Sequence, residues 1–426
     1  MGLIDLVALG VGGMIGGGIF SILGLAVETS GAATPLAFFI GAIIAGLAAN
    51  SYARLANRVR DGGASYSFIK EIFPRAPLAS VTVGWVVVCG YIGTLALYSF
   101  TFGTYTADAL GYSGVPAVRI PLTLCVMGFF VLINQREAKS AGDLEASIVY
   151  FKIVLLIVLA ALGAQAYDQT VIEAAPTGDL LSVVLSAALI FVAFEGFQLI
   201  TNAYREARFP LRNIPLAMFL SISITACIYI GLAAVSLGVI PYDQIIASEE
   251  HALSQLTGGP TSQGGSILLT LAAVLATTSA INATLFGASR MAAKIASDFA
   301  MPRYLTNTNG TGAPWAAVVT IGGLAALFGS IGSLSLIASF SSLTFLLVSL
   351  AVVTTDFRLS AINGDRFILP LAAAVVLALT SLLLIAYLIH RGGYDLIFSI
   401  SLYVFIFIAA LVYGKSSPHF GQRHNE

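Results

Sequence analysis

GVGGMIGGGIF, residues 10–20, is the stretch on which the reading of this chain turns. Gly10, Gly12, Gly13, Gly16, Gly17 and Gly18 crowd into it, although glycine costs about 1 kcal/mol relative to alanine inside a helix. Counted from Leu3 at about 1.5 Å per residue, Gly16 lies about 20 Å into an apolar run, near the middle of a ~30 Å hydrocarbon layer. Small residues there let helix backbones approach closely in lipid. Alternatively the helix breaks, and the N–H groups of Gly16, Gly17 and Gly18 face an anionic group such as a carboxylate at the start of the outer half-helix. Irregular backbone at that depth is tolerated only where it lines a cavity or is buried in protein.

Outward from this stretch the chain is apolar throughout. Of its 426 residues, 58% are hydrophobic and 10% charged, and the mean hydropathy is +0.93. Soluble proteins carry about 25% charged residues. Twelve transmembrane helices are predicted, at 3–29, 34–57, 77–110, 117–135, 143–166, 179–203, 211–240, 263–297, 314–331, 336–356, 367–389 and 394–413. The first run has neither a charged leader nor a small-residue cleavage site and reads as a retained helix. A net charge of −1 offers no case for nucleic acid. Cys89, Cys125 and Cys227 sit inside apolar runs without metal-ligand spacing, so no disulfide, metal or cofactor is assigned.

Basic residues set the expected orientation. With both termini cytoplasmic, 17 of the 20 Lys and Arg fall at inner ends, among them Arg54, Arg58, Arg75, Arg136, Lys139, Arg205, Lys294 and Arg423. Arg119 and Arg391 fall outside, and Lys152 within a helix. The longer outer loops, 167–178 and 241–262, carry Asp168, Glu173, Asp243, Glu249 and Glu250 and no Lys or Arg. That bias follows the positive-inside rule.

Three further helices carry polar groups at depth. The sixth reads LIFVAFEGFQLITN at 189–202, with Glu195 before Gly196 and with Gln198 and Asn202 following. A carboxylate there must face the bundle interior or water. It could be bonded to a neighbouring helix, contact a cationic substrate group, or relay protons. Lys152, in EASIVYFKIVLLIVLA at 145–160, lies about 13 Å from the end at Asp143, farther than snorkelling readily bridges. Burial penalises its charge, as a proton-coupling group requires. Thr277, Thr278, Ser279, Asn282 and Thr284 in the eighth helix could line a cation site, or simply bond back to their own helix carbonyls. Helices 1 and 6 both carry mid-span glycine, five helices apart and running in opposite directions, which is the pattern of inverted repeats.

Together these segments resemble the amino acid–polyamine–organocation superfamily, and within it the proton-coupled, broad-specificity amino acid transporters of the ApcT type. The resemblance rests on MIGGGIF at 14–20, SYARLANRVRDGGASYSFIKEIFP at 51–74, FVAFEGF at 191–197, RFPLRNIPLAM at 208–218 and NATLFGASRMAAKIASDFAMP at 282–302. It implies an all-α, LeuT-like 5+5 inverted repeat with discontinuous helices 1 and 6. The repeats would span 1–166 and 167–366, with helices 11 and 12 and a short tail in 367–426. It also implies that a substrate carboxylate meets the N–H groups of Gly16, Gly17 and Gly18 beside Ile15, and that the substrate ammonium meets the carbonyls of Met14, Val192 and Glu195. Lys152 would stand in for a sodium ion between helices 1 and 8, held by the carbonyls of Gly12 and Ile15 and the hydroxyls of Thr278 and Ser279. Two positions depart from the family pattern. Val192 replaces an aromatic gate, leaving Phe191 or Phe194 for that role. Gln198 replaces an acid, whereas Glu195 occupies a usually apolar site.

The expected function is secondary active transport of α-amino acids across the cell membrane by alternating access, coupled to protons, with no obligate protein partner beyond the lipid bilayer. The alternative is exchange of cationic amino acids or polyamines, suggested by Glu195. A channel lacks its charged ring or repeated pore loop. A non-transporting solute sensor would bind without flux. An enzyme lacks a nucleophile–base pair in the helices, because His251, His390, His419 and His424 lie near loops or the tail.

Overall fold

The computed structural model describes residues 1–61, 64–74, 76–135, 141–248, 253, 256, 263–310 and 312–416. Arg75, Arg136, Lys139, Glu249, Glu250, His251, His419, Arg423 and His424 lie outside the described residues. The helices are α1 (Leu3–Met14), α2 (Gly18–Ser30), α3 (Thr34–Val59), α4 (Ala64–Ile72), α5 (Pro77–Ala109), α6 (Pro116–Asn134), α7 (Ala141–Ala164), α8 (Gln169–Glu173), α9 (Leu180–Leu189), α10 (Leu199–Asn202), α11 (Pro210–Val239), α12 (Tyr242–Ala247), α13 (Gln263–Ser297), α14 (Trp315–Ile331), α15 (Leu334–Asn363), α16 (Ile368–Arg391) and α17 (Gly393–Ser416).

Among the described residues, nine helices are long and apolar enough to cross a bilayer, or up to eleven if each of two bent pairs is one span. The pairs are α1 with α2, bent by 49°, and α9 with the segment Phe191–Asn202, bent by 53°. The predicted twelve are not all reached, because α14 has only 17 residues, about 25 Å of helix. α15 runs on past the expected end at 356, where Asp356 pairs with Arg54 of α3 at 3.4 Å, to Asn363, and stops at Gly364, whose left-handed backbone (φ 72°) lets its N–H donate to the Ser360 carbonyl.

Large apolar side chains cover the outside, as a lipid-facing surface requires. Phe129 and Leu132 of α6, Leu379 and Leu382 of α16, and Phe405 and Ile408 of α17 are exposed. Among the described residues, the interior holds alanines, glycines, hydroxyls and five fully buried tyrosines. α1 packs on α7, α11 and α13, and α9 packs on α2, α3, α15 and α16. α7 lies against α11 and α13, and α15 against α3 and α5. α5 contacts α6 and α14, as does α13. The two bent segments therefore sit at the centre, surrounded by the other helices.

Candidate functional site between two broken helices

α1 ends where Ile15 leaves the helical region (φ −80°, ψ 78°), its N–H still donating to the Val11 carbonyl at 2.8 Å. A helix end leaves carbonyls without intrahelical donors, and at this depth they need protein partners. Each one from Gly12 to Ile15 has a partner. The Lys152 Nζ donates to the carbonyls of Gly12 at 3.0 Å and Ile15 at 2.7 Å. The Tyr98 hydroxyl donates to Gly13 O at 2.7 Å and the Tyr229 hydroxyl to Met14 O at 2.7 Å. Lys152 is fully buried, and a cation at a helix C-terminus is favoured by the helix dipole.

The glycines both break the helix and pack it. A Cβ on Gly16 would lie 2.6 Å from the Ala280 Cβ, and one on Gly17 would lie 2.6 Å from the Thr101 Oγ1. One on Gly18 would lie 3.0 Å from the Ala193 Cβ. Gly17 caps α2 without any side-chain bond. Of the three expected N–H donors, that of Gly16 is already engaged, donating to Met14 O at 2.9 Å, whereas Gly17 and Gly18 stand at the head of α2.

The sixth segment breaks differently. α9, capped by Asp179, whose side chain accepts from Ser182 N at 2.9 Å, gives way to a 3-10 turn at Phe191–Phe194. Glu195 is extended, and Gly196 has φ +141°, a region closed to most side chains. The Ser342 hydroxyl of α15 bridges the start of the break, donating to Leu189 O at 2.5 Å and accepting from Val192 N–H at 3.0 Å. The two breaks touch: a Cβ on Gly196 would lie 2.6 Å from the Gly13 carbonyl carbon and the Met14 nitrogen.

Phe191, Val192 and Phe194 are fully buried, with the Phe194 ring edge-on to Tyr229 at 5.6 Å. Val192 O accepts the Glu195 N–H at 3.1 Å and retains a second lone pair, whereas both lone pairs of Met14 O are taken, by the Tyr229 hydroxyl and the Gly16 N–H. The Glu195 Oε2 accepts from the Thr94 hydroxyl at 3.4 Å, while its Oε1 has no hydrogen-bond partner. The Gln198 Oε1 accepts Gly196 N–H at 3.0 Å, and its Nε2 is unpartnered. In α13 the Thr277 and Thr278 hydroxyls each donate to their own helix at 2.7 Å. The Ser279 hydroxyl is buried without a partner. Asn282 is engaged by Asn134 at 3.0 Å. Of the set implied for Lys152, the Gly12 and Ile15 carbonyls are in place, and the Thr278 hydroxyl is turned to the Val274 carbonyl.

Comparison with known proteins shows the family of the chain. A family model described as amino acid permease matches residues 1–414. The chain belongs to the amino acid permease family. The permease is similar to the uncharacterized protein MJ0609 of Methanocaldococcus jannaschii, 27% identical over 89% of this chain and 87% of that one. It is similar to the inner membrane transport protein YbaT of Escherichia coli, 25% identical over 97% and 96%. The branched-chain amino acid permease BcaP of Bacillus subtilis is 25% identical over 83% and 80%. The permease is a multi-pass membrane transporter of amino acids and not an enzyme.

At one end of the permease, ion pairs tie the helix ends together. Asp61 bonds Lys294 of α13 and pairs with Arg205 at 3.1 Å, and Lys70 of α4 pairs with Asp298 at 2.8 Å. Burial pushes the Asp61 carboxyl up, but Lys294, the Ser67 hydroxyl and Arg205 outweigh it and hold it below the usual carboxylate value. Tyr98, Tyr229, Thr94 and Ser342 were not singled out from the sequence, though all contact the breaks. A buried tyrosine hydroxyl needs a partner, but nothing local to LYSF at 97–100 or IYIG at 228–231 names a carbonyl more than 80 residues away.

Proposed function

We propose that the permease takes up α-amino acids with protons by alternating access across the cell membrane, with both termini cytoplasmic. The observation that carries this reading is the pair of bent segments whose interruptions meet at Gly13 and Gly196. Helix ends at that depth offer N–H groups to a carboxylate and carbonyls to an ammonium. The proposed substrate contacts are Met14, Ile15, Gly16, Gly17 and Gly18 in the first segment, and Phe191, Val192, Phe194, Glu195 and Gln198 in the sixth.

Packing supports two inverted repeats, 1–166 and 167–366. Exchanging each segment for its counterpart five away in the other repeat turns the α7–α11 contact into α15–α3, α7–α13 into α15–α5, and α5–α14 into α13–α6. It turns α1–α7 into α9–α15, and in both pairs the later helix sends a side chain, Lys152 or Ser342, into the earlier helix's break. This reading counts α14 as a twelfth span.

Coupling is proposed to run through Lys152. Its ammonium ties α7 to the end of α1; losing its proton removes that tie and changes the relative stability of the two access states. The test is uptake of a panel of radiolabelled amino acids by reconstituted vesicles, with and without a proton gradient. Saturable accumulation that rises with the gradient is expected. Uptake indifferent to the gradient overturns proton coupling, and no counterflow of any amino acid overturns the carrier reading.

The unpartnered Glu195 Oε1 favours a second reading, exchange of cationic amino acids or polyamines. It predicts that Glu195→Gln weakens lysine, arginine and putrescine binding selectively.

A further inference from the structure

Glu195 is the buried acid that the coupling scheme leaves unused, and its surroundings point along one direction. No hydrogen bond reaches its Oε1, and among the described residues no Lys, Arg or His pairs with it. The titratable groups near it are tyrosines: Tyr52 from α3, and Tyr91 and Tyr98 from α5. Tyr229 of α11 lies beyond Tyr98, and Lys152 of α7 is held by the α1 carbonyls. The Tyr52 hydroxyl shares a hydrogen bond with Ser65 at 2.8 Å and sits beside Gln198 and Ser349. The Gln198 Nε2 and the Ser349 Oγ are buried and unpartnered.

Ser349 of α15 lies seven residues, about 10 Å of helix, before Asp356. Asp356 has an unpartnered, buried Oδ2 beside the Ser51 hydroxyl, itself unpartnered. Asp356 and its ion-pair partner Arg54 then line a pocket of about 360 Å³ together with Arg58, Ser360 and Asp365. Each buried polar atom left without a partner costs about 1–3 kcal/mol, so a file of them between α3, α10 and α15 is a poor packing solution. It is a good route for water, which bridges such groups in protein interiors.

We propose that Glu195 is a proton-binding site in its own right, loaded and emptied from the basic end of the molecule along a polar file marked by Tyr52, Gln198, Ser349, Ser51 and Asp356. A proton added at Oε1 neutralises the carboxylate, and the same proton leaves to water at the Asp356 pocket; no other bond changes. The proposal rests on the transport reading for its physiological use, but the site itself can be tested without substrate.

The experiment is infrared difference spectroscopy of the full chain in lipid vesicles across a pH titration, in H2O and D2O. A protonated-carboxyl band is expected in the wild type. It should vanish in Glu195→Gln, return at a shifted frequency in Glu195→Asp, and exchange with D2O at least about tenfold more slowly in Ser349→Ala combined with Asp356→Asn. A band unchanged in Glu195→Gln, or its absence from the wild type, overturns the site. Unchanged exchange in the double variant overturns the file. If uptake fails in the wild type while the band behaves as expected, the transport reading falls and the proton site stands.

Discussion

The two breaks at the centre of the permease solve the same problem in opposite ways. At the first, every carbonyl from Gly12 to Ile15 receives a donor, supplied by Lys152, Tyr98 and Tyr229. Glycines there press against Ala280, Thr101 and Ala193. At the sixth, Ser342 secures the Leu189 carbonyl and the Val192 N–H, yet Glu195 and Gln198 each keep an unpartnered polar atom. A satisfied break is a rigid element held by its neighbours. An unsatisfied one retains the capacity to bind, because its polar atoms gain most from a new partner.

If that contrast is right, damage to the shared contact should be worst. Gly196→Val places a β-branched side chain at φ +141° against the Gly13–Met14 backbone. A loss of about 4 kcal/mol or more is expected from strain and overpacking, read as loss of folded protein in detergent. Survival at wild-type Tm would show that the breaks separate easily.

Next comes the lock on the first break. Lys152→Ala leaves two buried carbonyls without their donor, an expected cost of about 2–3 kcal/mol. Uptake should also stop responding to an imposed pH gradient. A variant with full gradient response ends the coupling role of this lysine.

Single hydroxyls sharpen the comparison. Tyr98→Phe and Tyr229→Phe each remove one donor from the first break and should cost about 1 kcal/mol apiece. Thr94→Val removes only the 3.4 Å bond to Glu195 and should cost less. The reverse order in thermal unfolding would mean that the sixth break is the tighter one.

The smallest effect lies outside the membrane. Because the Asp61 carboxyl is held below its ordinary value of 3.8, its contribution is complete above that pH and is lost as pH falls through the lower folded value. Asp61→Asn should flatten that acid limb and lower Tm slightly at neutral pH, by less than about 1 kcal/mol for a partly exposed pair. An unchanged acid limb would remove Asp61 from the network.

Much of this was legible in one dimension. Long apolar runs placed the helices to within a few residues, apart from the end of α15, seven residues beyond the expected 356, since a hydrocarbon layer sets both their length and their composition. GVGGMIGGGIF and FVAFEGF marked the two interruptions, because glycine at mid-span is costly unless the backbone there is needed. α4, α8 and α12 did not enter the reading, as 9, 5 and 6 residues are too short for apolar length to register.

Composition and order along the chain thus determined a membrane protein with two irregular helices, a buried lysine and a buried glutamate. Tertiary structure decided which partner each received, although the family resemblance, and no local pattern, implies the Gly12 and Ile15 carbonyls for Lys152. Lys152 meets carbonyls 137 and 140 residues away, and Ser342 bridges a break 150 residues earlier. Such pairs arise from how helices pack, and helix packing is a property of surfaces brought together by the whole fold. No local pattern encodes it.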